Sequence, residues 1–154
     1  MRPLRSPSHL VTAAVLLVSI ACGTDSVTSP DQNFDVHLGC TTFTAPRGDL
    51  GECPLTVTAT GGQSATIESV VLLANGQAMT DFEHSPGLSF YTDPTPQNLA
   101  GQTVDGTGLS VGLRAYADVT VTPGNYPAGL RVTYRLAGAS SSTTITVPFD
   151  IVVT

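Results

Sequence analysis

The chain has 154 residues, with twelve acidic and six basic side chains for a formal net charge of −6. Such a length suits one compact domain, and the acidic balance repels nucleic acid and anionic headgroups, which argues against a nucleic-acid partner. All six basic residues are arginines and tryptophan is absent, so a phosphate loop lacks its lysine and a sugar platform its broadest ring.

The chain opens with Arg2 and Arg5, runs through an apolar stretch from Leu10 to Ala21, and reaches Ser19-Ile20-Ala21-Cys22. A basic start, an apolar core of roughly 7–15 residues and a small residue at the cut describe a secretory signal. The run is well short of the roughly 20 apolar residues that span hydrocarbon, so a transmembrane anchor is disfavoured. The segment resembles the lipobox of bacterial lipoproteins, although Ser19 stands where such signals usually carry leucine or another aliphatic. That resemblance covers only the leader. It implies removal of residues 1–21, diacylglycerol on the Cys22 thiol and commonly a third chain on its amine. The competing reading is an ordinary signal cut near Ala21, with Cys22 a bystander. Each buried methylene contributes about 0.8 kcal/mol and one myristoyl chain holds only marginally, so two or three chains make a lasting membrane anchor. In lipoproteins of some bacteria an aspartate directly after the cysteine often signals inner-membrane retention. Gly23 stands there, which favours the outer membrane of the cell envelope.

Loss of Arg2 and Arg5 leaves four arginines against twelve acids, a net charge of −8. Residues 22–33 are small and polar and are interrupted by Pro30, so they cannot bury enough apolar area to fold and read as a tether. Fully extended, such a segment reaches at most about 35–40 Å at roughly 3.3–3.6 Å per residue.

From Phe34 onward the pattern has period two. Phe34, Val36 and Leu38 alternate with polar neighbours, as do Cys53, Leu55, Val57 and Ala59. Once lipid takes Cys22, Cys40 and Cys53 form an even pair in an oxidising compartment, which predicts a disulfide worth roughly 3 kcal/mol. His37 is the only nearby candidate metal ligand, too few for a site. Ile67 to Leu73 is almost continuously apolar, suiting a strand covered on both faces, and runs into Asn75-Gly76, a strong hairpin signal. Leu88 and Phe90 mark a short strand. Leu109, Val111 and Leu113 mark a longer one, expected to continue from Tyr116 to Val121 after a bulge near Ala115. Residues 93–107 read as a long loop or irregular edge. Leu130, Val132, Tyr134 and Leu136 share one face, as do Ile145, Val147, Phe149, Ile151 and Val153. These two series predict an antiparallel hairpin with a turn near residues 139–142, bringing Arg131 opposite or diagonal to Asp150.

Glycine and proline recur too often for a convincing helix, and valine and threonine are enriched. About seven to nine strands within residues 34–154 give an all-β, Ig-like antiparallel β-sandwich. The segment Thr122-Pro123-Gly124-Asn125-Tyr126-Pro127-Ala128 before Leu130 resembles the tyrosine corner of Ig-like and fibronectin-type domains. That resemblance implies a buried Tyr126 whose hydroxyl bonds backbone a few residues upstream. Ala128 stands where antibody domains carry the second inter-sheet cysteine, so the likeness is to bacterial Ig-like envelope domains at large.

Catalytic motifs fare poorly. Gly108-Leu109-Ser110-Val111-Gly112 matches G-x-S-x-G, but Ser110 lies within an alternating strand and no histidine follows residue 84. His37 and His84 read as solvated, the latter in a loop with Asp81 and Glu83 that makes a poor cation cage. Glu52, Glu68 and Glu83 are not tied to one cleft for glycoside chemistry. The expectation is therefore no enzyme and no cofactor. The sandwich would be displayed at the membrane through acyl chains on Cys22, for protein interaction or as a spacer. A carbohydrate-binding module on Tyr91 and Tyr116 is the alternative, and a small hydrolase a more distant one.

Overall fold

The structure is a computed structural model that describes residues 33–154. The expected signal peptide of residues 1–21, Cys22 and nearly all of the expected tether lie outside the described residues. The described chain runs β1 (Phe34–Leu38), β2 (Phe43–Ala45), β3 (Leu50–Ala59), β4 (Ala65–Ala74), β5 (Gln77–Ala78), β6 (Glu83–Ser85) and β7 (Leu88–Asp93). A helical turn, α1 (Pro96–Leu99), is followed by β8 (Thr103–Val104), β9 (Leu109–Ala117), β10 (Gly124–Leu136) and β11 (Thr143–Val153).

The strands form two sheets. One has the order β1-β3-β9-β7-β6 and the other β2-β11-β10-β4-β5, with β8 attached to β4. The first sheet reproduces the A-B-E-D order of an Ig sandwich, and β4, β10 and β11 take the C, F and G places. The inward series meet between the sheets, where the Phe34 ring of the first lies flat on Tyr134 of the second at 3.9 Å and 8°. Leu55, Leu113, Leu130 and Ile151 are each within a few per cent of complete burial around that pair. Burying such side chains contributes about 1.5–3 kcal/mol each, so the two alternating series drive the sheets together.

Two short strands extend the expected count. After β1 the chain crosses to the other sheet, and β2 pairs with β11 in parallel, a departure from the all-antiparallel expectation. β2 passes so close to β3 that a Cβ on Gly51 would lie 1.8 Å from the Thr44 carbonyl oxygen, so only glycine fits there. Cys40 and Cys53 are bridged, with Cα atoms 5.6 Å apart, joining the end of β1 to its partner β3.

Asn75-Gly76 forms the two-residue turn between β4 and β5, with φ of 51° and 77° as a type I′ turn requires. β4 is only half-buried from Glu68 to Val71, so it is not covered on both faces throughout. Residues 93–107 are more ordered than a loop. α1 starts at Pro96, a favourable first helical residue, and buries Leu99, while Val104 is buried from β8.

β9 has no bulge and ends at Ala117. Its parity holds through Ala115 and Ala117 with Tyr116 outward, and residues 118–121 turn away, with Val121 N donating to Asp118 O. The irregularity falls instead between β4 and β10 at Thr133/Tyr134.

The final hairpin forms with the expected faces but a different offset. Arg131 stands opposite Thr146 and Asp150 opposite Pro127. The reversal comes at Gly138, where Ala139 N bonds Leu136 O, rather than within the serine run. Arg131 and Asp150 share the outer face but lie four positions out of register, about 13 Å along the strand. The cross-strand contacts are Thr133 to Thr144, whose hydroxyls are 2.9 Å apart, and Arg135 Nε to Glu68 Oε1 at 2.8 Å.

Candidate functional site

Tyr126 lies near the start of β10, and its hydroxyl donates to the Thr122 carbonyl at 2.7 Å, as a tyrosine corner does. Its ring is half-buried rather than buried, because Thr122 to Asn125 and Pro127 around it face solvent. The side chain against it is His84, whose ring meets Tyr126 edge-on at 5.9 Å.

His84 overturns the expectation of a solvated loop residue, being 8% exposed. The pairing of β6 with β7 is irregular between Glu83 and Ser85, and that bulge turns the intervening histidine inward. Its Nε2 lies 2.7 Å from the Pro127 carbonyl. A carbonyl only accepts, so Nε2 carries the proton and donates. The same carbonyl receives Asn75 N at 2.9 Å. Ring contacts continue from His84 to Phe90 at 6.3 Å, Phe90 to Phe149 at 5.9 Å and Phe149 to Phe43 at 6.0 Å. The corner is thus a chain of rings crossing the sandwich beside the disulfide.

The remaining sequence candidates are dispersed. Ser110 is an exposed strand residue opposite Thr56, with no strained turn around it. His84 sits near the Ala117 end of β9, about 23 Å from Ser110 by strand rise, so the two share no cleft. His37 is half-buried on β1, facing Thr56. Among the described residues no group of three or more His, Cys, Asp or Glu side chains is placed to hold a metal ion.

Tyr91 and Tyr116 do share the outer face of the five-stranded sheet, diagonally placed because Tyr91 pairs with Arg114 and Tyr116 with Ser89. Arg114 is ion-paired to Glu52 at 3.0 Å and to Asp93 at 2.9 Å. Tyr91 is half-buried and tilted against Phe82 at 5.8 Å, while Tyr116 is 40% exposed. One ring already engaged and one open do not make a flat double platform.

Carboxylates in tight turns are held below their ordinary range. The Thr107 hydroxyl and backbone N–H bond Asp105, and Thr120 does the same for Asp118, favouring the ionised forms. Glu68 is lowered by the Ser142 hydroxyl first and then by Arg135.

A groove of about 490 Å³ lies beside the outer edge of β4, within the range of ligand sites. Val70, Leu72, Met79, Phe82 and Pro96 supply its apolar lining and Asp81 its lip. Nothing in the period-two pattern marks it, because it arises where β5, β6 and α1 converge on one strand.

The two-sheet order and the Tyr126 corner define an Ig-like β-sandwich. Its backbone is similar to the GAE domain of GGA2p from Saccharomyces cerevisiae, at 10% identity, a TM-score of 0.54, and coverage of 82% of this chain and 96% of that one. It is also similar to an ASH/PapD-like domain of human CEP192, at 14% identity, a TM-score of 0.50, and coverage of 99% and 98%. At those identities the likeness establishes the fold alone. No family model matches the sequence, and no curated sequence is similar to it.

Proposed function

We propose that the chain is an exported lipoprotein whose Cys22 is acylated after removal of residues 1–21. The acyl chains and the short tether would present one Ig-like domain at the cell envelope, with the outer membrane favoured. The domain would act by binding or as a structural spacer, without a cofactor and without catalysis. The observation that carries this reading is Ser19-Ile20-Ala21-Cys22 at the end of a basic-then-apolar leader. The Cys40–Cys53 bridge supports it, since disulfides persist in oxidising compartments. No helix among the described residues is long and apolar enough to cross a membrane.

Mass spectrometry of protein extracted from membranes tests the proposal. A chain beginning at Cys22 and heavier by diacylglycerol, with or without an amide-linked acyl chain, is the expected result. An unmodified Cys22 thiol, or retention of Arg2 and Arg5, would overturn it.

A further inference from the structure

We infer that the outer edge of β4 accepts a short, extended, basic segment of a partner protein as an added strand. The edge is interrupted. At one end β8 pairs with Ala65 and Thr66, and residues 101–102 bond Ile67 on both its N–H and its carbonyl. At the other, β5 pairs with Leu73 and Ala74, and Met79 N bonds the Leu72 carbonyl. Among the described residues no strand lies on the outer side of Glu68 to Val71. Backbone groups alternate sides along an antiparallel strand. With the Leu72 carbonyl directed outward, Val70 presents its N–H and C=O to the same open side.

The groove lies beside this gap. An added strand would set alternate side chains against Val70, Leu72, Met79, Phe82 and Pro96 while its backbone pairs with Val70. Phe82 is 40% exposed although large and apolar, which an occupant would cover. The gap of four residues is about 13 Å long by strand rise, matching a short segment rather than a full strand. Charge selects its composition. Asp81 lies on the lip, whereas on the neighbouring β10 Arg135 is already ion-paired to Glu68 and Arg131, opposite Val71, takes the sheet face away from Val70 and Leu72. A segment alternating basic and aliphatic residues complements both the lip and the lining.

This deepens the reading of the domain as a binding module and rests on that part of it. It does not depend on acylation, so the mass of Cys22 and the result below can fail separately. The test is hydrogen–deuterium exchange of the full chain with and without a heptapeptide alternating lysine and valine. Protection is expected in residues 68–72 and 79–82. The peptide N-methylated at alternate positions should give none, and a glutamate–valine heptapeptide should bind more weakly. Phe82→Ser, an exposed substitution that leaves the core intact, should weaken binding about tenfold, as loss of an anchor does. No protection by the lysine–valine peptide, protection confined to other strands, or undiminished binding by Phe82→Ser would overturn the inference. Protection of residues 68–72 that grows with protein concentration alone would also overturn it, by identifying a second copy as the occupant.

Discussion

At Pro127 one carbonyl takes two donors, from Asn75 and His84, whereas on the neighbouring strand Val70 offers its backbone to no outer strand among the described residues. The first lies just past the last pair of β10 with β4, and the second on the outer edge of β4, so both are places where the ladder of the six-stranded sheet stops. At the first, a proline without an N–H is surrounded by rings and donors from distant parts of the chain, so the backbone is satisfied internally. At the second, three short elements stop short of one another and leave a gap beside an apolar groove. The difference is between a margin closed by side chains and one left open between them. Open margins of this kind are where sheets recruit further strands.

Phe90→Ala tests the closed margin most severely. Phe90 is fully buried between His84 and Phe149, and its truncation should cost about 3–5 kcal/mol in denaturant unfolding. A cost near zero would show that the ring chain is not what closes the corner. Replacing Cys40 and Cys53 together with alanine should cost about 3 kcal/mol by releasing the loop between them. Calorimetry of the double variant against the disulfide-bonded parent checks this, and the reduced parent should match the variant. Tyr126→Phe removes one hydroxyl bond and should cost about 0.5–1.5 kcal/mol, with the groove unaffected.

A smaller effect is expected in acid. Bonds from Thr120 hold the Asp118 carboxyl below its ordinary value of 3.8, so its pKa is lower folded than unfolded. Its stabilisation is complete above the unfolded value and is lost as pH falls through the folded one. A melting series below pH 5 should therefore fall less steeply for Asp118→Ala than for the parent. The smallest change belongs to the open margin. Phe82→Ser should alter unfolding by no more than about 0.5 kcal/mol, because its ring is 40% exposed and lies outside the core. A loss comparable to that of Phe90→Ala would mean that the groove is part of the core.

The strand faces were legible because burial on one side imposes period two, and Phe34, Leu55, Leu113 and Ile151 all obey it. Asn75-Gly76 was legible because few dipeptides accept its geometry. Parity specifies a face but not an offset. Arg131 therefore kept its predicted side and lost its predicted partner when the reversal fell at Gly138. β2 and β8 are too short for any periodicity, and α1 is a single turn. His84 was misread because its partner carbonyl is 43 residues away and its inward direction comes from a bulge. The open edge of β4 had no sequence signal, since it depends on where three other elements end.

The parallel pairing of β2 with β11 couples Phe43 to Ile151, near the two extremes of the domain. Contacts this distant in sequence are slow to form, since the loop between them must be ordered before the pairing rewards it. Most other strand pairs can assemble from partial lengths of chain, but β2 has no ladder until the last strand is in place. Closure of this sheet is therefore the step expected to limit the rate of folding. Any interval before it leaves both Phe43 and the outer side of β11 available for mispairing with other chains.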